Sequence, residues 1–339
     1  VCRVRVGGRR TSNKGINLPG VAADLPTITE KDRRDLGHAV EWGIDWVALS
    51  FVRSAEDIHK LKELIQELTG EEDSLPVMAK IEKPQALNNL DAIIDAADAV
   101  MVARGDLGIE IPPEEVPMAQ KRIIEAANEA GIPVVTATQM LESMIRNPRP
   151  TRAEASDVAN AILDGTDAVM RSGEPSIGNY AVESVRTMRR IIQEVEASRP
   201  EIPARAFRPS RKDSKLSTAD AVGRAARDAA QNLGASALIT PTVSGYTARV
   251  MSRYRPQASI IAVTPNAEVQ RRLMLHWGVI PLLAPRAENS DEMIEHAVEA
   301  ARGEGLVEEG DTVVVTAGAA RSEPGTTNLM RIYVVGEES

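Results

Sequence analysis

The chain holds a single cysteine, Cys2, in 339 residues. One thiol cannot close an internal disulfide, so nothing in the sequence points to an oxidising compartment. No apolar run approaches the ~20 residues that a bilayer-spanning helix needs. A basic surplus is missing as well. The net charge is −9, which speaks against nucleic acid as a main partner, because phosphate backbones are held by basic surfaces. The four histidines, His38, His59, His276 and His296, are scattered without the spacing of metal ligands and read as structural. Low-complexity segments are absent. The first residue is valine, and Val1 to Arg10 alternates apolar and basic residues as far as Gly7-Gly8. That stretch lacks the apolar core of a signal peptide. It predicts a strand whose partners lie upstream, in a longer parent chain.

Hydrophobic residues make up 43% of the chain and charged residues 26%, the balance of an ordinary globular protein with one large domain or two. From Thr29 onward strand and helix patterns alternate. Thr29 is an N-cap candidate for a helix reaching about Trp42. Ser54 is another, for a helix over 55–68 with an apolar stripe at Ile58, Leu61, Leu64 and Ile65. Strands are predicted over 45–52, 77–81, 99–103, 133–137 and 168–170, and helices over 85–97, 114–130, 152–163 and 182–197. The units run to about 20 to 35 residues each, near the ~30 that a (β/α)8 barrel implies. The strands are near-continuous apolar runs, as in parallel sheets covered on both faces. Five units do not close an eight-stranded barrel, so either further strands precede residue 1 or the sheet is open. Residues 199–217, with prolines at 200, 203 and 209, read as a linker. A second block follows, with a helix over 218–233 and strands at 237–240, 259–263, 279–283, 312–316 and 329–335. The fold class expected is therefore α/β: a partial TIM (β/α)8 barrel followed by an open doubly wound α/β C-terminal domain.

Three strand ends carry polar residues: Ala79-Lys80-Ile81-Glu82-Lys83-Pro84, Ala103-Arg104-Gly105-Asp106-Leu107-Gly108 and Ala137-Thr138-Gln139-Met140-Leu141-Glu142-Ser143. Charge at the end of a buried strand is costly unless it is paired or binds something, and barrel chemistry sits at the C-terminal strand ends. Lys80 and Glu82 lie two apart and so face one side. An ammonium and a carboxylate there suit an anionic substrate and a hard cation such as Mg²⁺; a plain strand-end ion pair is the other reading. Asp106 can give the same ion a second carboxylate, or close a Gly-Asp turn. Pro112-Pro113-Glu114-Glu115 opens a helix whose N-terminus favours anions. Thr138 can orient a substrate or pass a proton, or cap a turn. Ser172 and Glu174, in Arg171-Ser172-Gly173-Glu174, carry the same two readings. Thr242-Val243-Ser244-Gly245-Tyr246-Thr247 joins a strand to a helix and suits a phosphate as well as an ordinary cap.

In this order, the segments resemble the pyruvate kinase family. The likeness also runs through Asn13-Lys14-Gly15-Ile16-Asn17-Leu18-Pro19-Gly20, Asn147-Pro148-Arg149-Pro150-Thr151-Arg152-Ala153-Glu154 and Gly325-Thr326-Thr327-Asn328, and it covers essentially the whole chain. It implies that residues 1–18 end a small inserted β domain. Residues 19–198 would form a β/α barrel from its third helix through its eighth unit, and 218–339 a C-terminal α/β regulatory domain. The reaction implied is phosphoryl transfer from phosphoenolpyruvate to ADP in glycolysis, giving pyruvate and ATP, which needs positioning and charge neutralisation more than covalent chemistry. On this likeness Glu82 and Asp106 ligate Mg²⁺ or Mn²⁺, and Lys80 stabilises charge on the phosphoryl group and the enolate. The N–H groups of Gly105 and Asp106 take the substrate carboxylate. Thr138 touches substrate and helps protonate the enolate, with Ser172 in the proton relay, and Ser50 and Phe51 line the site. Thr242, Ser244, Gly245 and Thr247 match a loop that holds a sugar-phosphate activator in many members. The likeness further implies K⁺ in the full-length parent, at a site outside this chain. It also implies a cytoplasmic homotetramer with neither nucleic acid nor membrane as partner.

One strand departs from the family pattern. Its usual Met-Leu-Ser-Gly-Glu-Thr is here Met170-Arg171-Ser172-Gly173-Glu174-Pro175, and Ala181 stands in place of a usual proline. Alternation points Arg171 outward toward the helices, where a buried arginine requires a carboxylate partner. The family's phosphoryl-binding arginines and monovalent-cation site match positions before Val1, so the isolated 339 residues are expected to be inactive and the full-length parent active. Two other functions are compatible with the same residues: a Mg²⁺-dependent lyase or aldolase acting on pyruvate enolate without ADP, and a non-catalytic truncated subunit.

Overall fold

A computed structural model describes residues 3–8, 26–71, 75–198, 217–287, 289–318 and 327–337. Cys2, the Asn13–Gly20 motif, Gly325-Thr326 and the expected linker up to residue 216 lie outside the described residues. The N-terminal strand is not formed over residues 3–8, which make only bends and leave Val4 and Val6 80% and 89% exposed. An alternating segment becomes a strand only with a ladder partner, and none lies beside it among the described residues.

The first block runs α1 (Glu30–Glu41), β1 (Val47–Leu49), α2 (Ala55–Thr69), β2 (Val77–Ile81), α3 (Pro84–Asn88), α4 (Leu90–Ala96), β3 (Ala99–Ala103), α5 (Arg104–Glu110), α6 (Val116–Ala130), β4 (Val134–Ala137), α7 (Arg152–Asp164), β5 (Ala168–Met170), α8 (Gly173–Ser176) and α9 (Ala181–Ala197). Its five strands pair in parallel and in sequence order, which is the strand succession of a partial β/α barrel. Alternation sorts the side chains. Val77, Ala79, Ile81, Val100, Val102 and Val134 pack outward against Ile58, Leu61, Ile65, Ile93 and Ile123 of the helices. Met78, Ala99, Met101, Val135 and Ala137 form the opposite, inner layer.

Several boundaries differ from the sequence expectation, each for a local reason. β1 is short because Phe51 turns the chain with φ 57°. The helix expected over 85–97 breaks at Asn89, whose amide donates to the Arg53 carbonyl at 2.9 Å. The helix expected from 114 starts at Val116, after a Pro112-Pro113 turn, and the unexpected α5 precedes it.

The second block runs α10 (Thr218–Leu233), β6 (Ala237–Pro241), α11 (Tyr246–Arg253), β7 (Ser259–Thr264), α12 (Ala267–Leu273), β8 (Val279–Leu283), α13 (Ser290–Gly303), β9 (Thr312–Ala317) and β10 (Leu329–Val334). The sheet order is β10-β9-β6-β7-β8, with only β10 antiparallel. α13 packs on the face formed by Ala237, Ile239, Ile261, Val313 and Val315. α10 and α11 pack on Leu238, Ile260 and Val314. Helices thus cover both faces of an open sheet, as expected. No described helix is long and apolar enough to cross a membrane.

The two blocks meet at the N-terminal ends of the first block's strands. Asp167, just before β5, accepts from Val134 N at 2.9 Å and pairs with Arg255 at 2.9 Å. Arg255 also donates to the Gly165 carbonyl at 2.8 Å and lies 5.0 Å from the Trp277 ring. Arg271 grips Asp45 through both carboxylate oxygens, at 2.9 and 3.0 Å. His276 is buried in this contact. Desolvation, with Arg249 and Arg255 adding repulsion, lowers its pKa from 6.5 to about 3. A base with a depressed folded pKa contributes stability that is present above pH 6.5 and lost as pH falls toward 3. Burial raises the Asp167 pKa, and that group acts in the opposite sense. The difference between wild type and His276→Asn therefore isolates the imidazole. Urea unfolding should show wild type losing up to about 2 kcal/mol more than the variant between pH 7 and pH 5. Parallel pH profiles would show that His276 does not titrate on unfolding.

Candidate active site

Because Ala79 and Ile81 face the helices, Lys80 and the following Glu82 face the inner layer. Lys80 Nζ donates to Ser50 Oγ at 2.8 Å, across the β1–β2 boundary, and sits 2.6 Å from Glu82 Oε1. Glu82 is wholly buried. Its Oε2 accepts the Phe51 N–H at 2.8 Å, while Oε1 accepts no hydrogen bond and meets the Lys80 ammonium. Phe51 is half exposed in the left-handed region, a costly backbone for a bulky residue. Lys83 Nζ lies 5.5 Å from its ring and pairs with Glu110 at the end of α5.

The next strand end turns straight into a helix. β3 stops at Ala103, and α5 begins with Arg104, Gly105 and Asp106. Asp106 is therefore in the first helical turn rather than on the strand end. It is half-buried, and its carboxylate carries no hydrogen bond or ion pair among the described residues. Gly105 N donates to Thr138 Oγ1 at 2.7 Å. A Cβ at Gly105 would sit 3.3 Å from that oxygen, closer than side chains ordinarily approach, so the glycine permits the contact. Thr138 and Gln139 follow β4 at φ 68° and 53°. Arg104, 8% exposed, donates to the Thr138 carbonyl at 2.7 Å and to Asp157 at 2.6 Å.

After β5, Ser172 is exposed, and its hydroxyl makes no hydrogen bond among the described residues. The buried Glu174 joins two strand ends, accepting from Ser172 N and from Leu141 N, each at 2.9 Å. Arg171 points outward as alternation requires. Its Nη1 donates to Ser184 Oγ of α9 at 3.3 Å. The carboxylate partner expected of it is not paired with it; a serine hydroxyl takes that place, and burial lowers the Arg171 pKa despite the attraction of Glu174. In the second block, Thr242 Oγ1 accepts from Gly245 N at 3.0 Å, and Thr247 Oγ1 lies 3.0 Å from Thr327 Oγ1. Ser244 is the exposed hydroxyl of that loop.

The structure thus joins Ser50, Phe51, Lys80 and Glu82 in one cluster and Gly105 with Thr138 in another, while the Ser172 hydroxyl makes no hydrogen bond to either among the described residues. Sequence reading assigned nothing to Arg104, although a charge directly after five buried strand residues was signal enough that it needed partners. The Lys83–Glu110 pair was missed because its members lie far apart in sequence. Among the described residues no cluster of three or more His, Cys, Asp or Glu is placed to hold a metal.

Fold and rim together define a β/α-barrel protein with polar groups at the C-terminal strand ends, joined to an open α/β domain. Residues 1–185 match the family described as pyruvate kinase, barrel domain, and residues 220–333 that described as pyruvate kinase, alpha/beta domain. The chain belongs to the pyruvate kinase family. It is 50% identical to the pyruvate kinase of Geobacillus stearothermophilus over 99% of this chain and 57% of that protein. It is 47% identical to that of Clostridium acetobutylicum over 99% of this chain and 70% of that protein. A crystal structure of a pyruvate kinase from Cryptosporidium parvum superposes with a TM-score of 0.86 at 39% identity, over 94% of this chain and 64% of that one. The chain spans only a little over half of the Geobacillus relative.

Glu174 offers a direct check of how the rim is held. Replacing it by alanine leaves the Leu141 and Ser172 amides without their acceptor, and Glu174→Ala should lose about 2–3 kcal/mol in urea unfolding. Glu174→Gln, which keeps one acceptor oxygen, should lose about half as much. An alanine variant as stable as wild type would mean that the carboxylate does not fasten these strand ends.

Proposed function

We propose that the protein carrying this chain transfers a phosphoryl group from phosphoenolpyruvate to ADP. The observation that supports it most is the Lys80 ammonium, held between Ser50 Oγ and the buried Glu82 on an inner strand face, in a chain about half identical to pyruvate kinases. In this reading the bond from phosphorus to the enol oxygen breaks and one from phosphorus to an ADP oxygen forms. The enolate left behind takes a proton at its methylene carbon and becomes pyruvate.

The chain's own groups are suited to this chemistry. Lys80 is partly exposed, at 23% of its side chain, so it can face an anion while Glu82 offsets its charge. Preorganised positive charge of this kind stabilises developing negative charge without reorganisation. Ser50 and Phe51 line the same side. The Gly105 and Asp106 amides are the proposed seat of the substrate carboxylate; in this structure the Gly105 N–H is spent on Thr138 Oγ1. That bond occupies an acceptor lone pair of the hydroxyl and leaves its proton free to be donated. Thr138 is thereby the proposed proton donor, and the exposed Ser172 hydroxyl the proposed group that restores the proton.

Glu82 and Asp106 fit a hard divalent cation. Glu82 Oε1 is buried against the Lys80 ammonium, Asp106 makes no hydrogen bond or ion pair among the described residues, and both offer the oxygen donors that Mg²⁺ or Mn²⁺ prefers. When bound, such an ion supplies charge neutralisation to the phosphoryl oxygens. A K⁺ requirement, a homotetramer and a cytoplasmic site of action rest on the family likeness. A sugar phosphate at the Thr242–Thr247 loop rests on that likeness too, with the exposed Ser244 hydroxyl as its accessible donor.

The test is an assay of the protein carrying this chain with phosphoenolpyruvate, ADP and Mg²⁺. Lys80→Met should lower kcat by about 10³-fold, and Glu82→Gln should raise the Mg²⁺ concentration for half-activity by about tenfold or more. Pyruvate formation without nucleotide would favour the lyase reading, and no turnover of phosphoenolpyruvate would overturn the assignment.

A further inference from the structure

We propose that Arg104 is the positioning residue for proton delivery: its guanidinium fixes the left-handed backbone on which the Thr138 hydroxyl is mounted. The inference rests on the reading of Thr138 as proton donor.

β4 ends at Ala137, and the next two residues take φ 68° and 53°. Neither is glycine, and Thr138 is β-branched, so this strained backbone persists only where its surroundings impose it. Arg104 supplies those surroundings. Three consecutive carbonyls turn toward one guanidinium: Nε donates to Ala137 O at 3.4 Å, and Nη2 to Thr138 O at 2.7 Å and Gln139 O at 3.4 Å. The guanidinium is itself anchored behind the sheet. Nη1 donates to Asp157 of α7 at 2.6 Å and to Gln120 of α6 at 3.4 Å. The following residue completes the grip, because Gly105 N donates to the Thr138 hydroxyl at 2.7 Å. The guanidinium hold on the Thr138 backbone remains when the Gly105 N–H turns to the substrate carboxylate. A planar fork of five donors can grip several acceptors at once; a lysine ammonium on a flexible stem cannot reproduce it. Buried at 8% exposure, Arg104 acts through Thr138 and not on substrate.

The expected signature is a loss confined to the step that Thr138 serves. Two readouts are taken in the protein carrying this chain: overall turnover, and exchange of pyruvate methyl protons with solvent deuterium, which is the proton transfer run in reverse. Arg104→Lys should lower both by about 30- to 100-fold, with KM for phosphoenolpyruvate within about threefold of wild type. In a Thr138→Val background the same change should cost less than about threefold further, because the hydroxyl it positions is gone. A merely structural arginine would give losses that multiply. Should Arg104→Lys fail to fold, Asp157→Asn keeps the guanidinium on its carbonyls and loosens only its anchor. It should cost about three- to tenfold, again without further loss beside Thr138→Val. Multiplying losses, or methyl exchange that stays at the wild-type rate, overturn the inference while phosphoryl transfer stands. A wild-type protein that shows neither turnover nor exchange sinks both readings.

Discussion

A carboxylate with no surface in water dictates the arrangement of the rim. An isolated buried carboxylate costs several kcal/mol, so Glu82 must be surrounded by compensation, and its neighbours take positions that they would not otherwise hold. Lys80 is drawn to its Oε1, and the Phe51 N–H is drawn to its Oε2. The ammonium is fixed in turn by Ser50. Oε1 is compensated by the Lys80 ammonium alone, at 2.6 Å, with no other donor among the described residues.

Backbone strain falls at the places where buried charge can hold it. The non-glycine residues with positive φ among the described residues are Phe51, Thr138, Gln139 and Arg255. Three of them lie on the rim and the fourth at the contact between the two blocks. Each is secured by a buried ionic group of the appropriate sign. A carboxylate takes the Phe51 N–H, and a guanidinium takes the carbonyls of Thr138 and Gln139. The side chain of Arg255 itself is clamped on Asp167. Strained conformations persist only where the surroundings over-determine them, and on the rim the charges that secure the strain, Glu82 and Arg104, stand beside the groups proposed to do chemistry.

Much of the fold was legible in the sequence because parallel strands covered on both faces must be apolar throughout, and such runs stand out. β2, β3 and β4 lay where their apolar runs were, and both blocks have the expected architecture. Periodicity could not show where polar contacts cut the elements short. Asn89 splits a helix by donating to Arg53, 36 residues away, and Phe51 shortens β1 because Glu82 holds its amide. α5 was missed since Arg104-Gly105-Asp106 reads as a turn, and its helical character depends on Arg104 finding partners on α6, α7 and the β4 end. The pairing of Lys80 with Glu82 was readable from a spacing of two. The grip of Arg104 on Thr138 was not, because it joins residues from neighbouring strand ends.

The direction of the parallel strands relates the proposed chemistry at one end to the docking at the other. At the start of a parallel strand the first N–H lacks a full ladder, and an acid answers it: Asp98 accepts from Val77 N and Asp167 from Val134 N, each at 2.9 Å. At the finish the carbonyls run out of partners, and a base answers them, as Arg104 does after β4. At these positions a strand's entry is answered by an acid and its exit by a base. The second block meets the entry end with arginines, Arg255 on Asp167 and Arg271 on Asp45. The exit end keeps the partly exposed Lys80 ammonium, the positive charge that the proposed anionic substrate would meet. The exit end also carries acids, among them three that are largely buried and engaged: Glu82 with Lys80, Glu110 with Lys83, and Glu174 with the Leu141 and Ser172 amides. The anionic substrate proposed for that end would meet the ammonium with no exposed carboxylate on the same strand, so that one strand end would serve both an anion and the cation accompanying it.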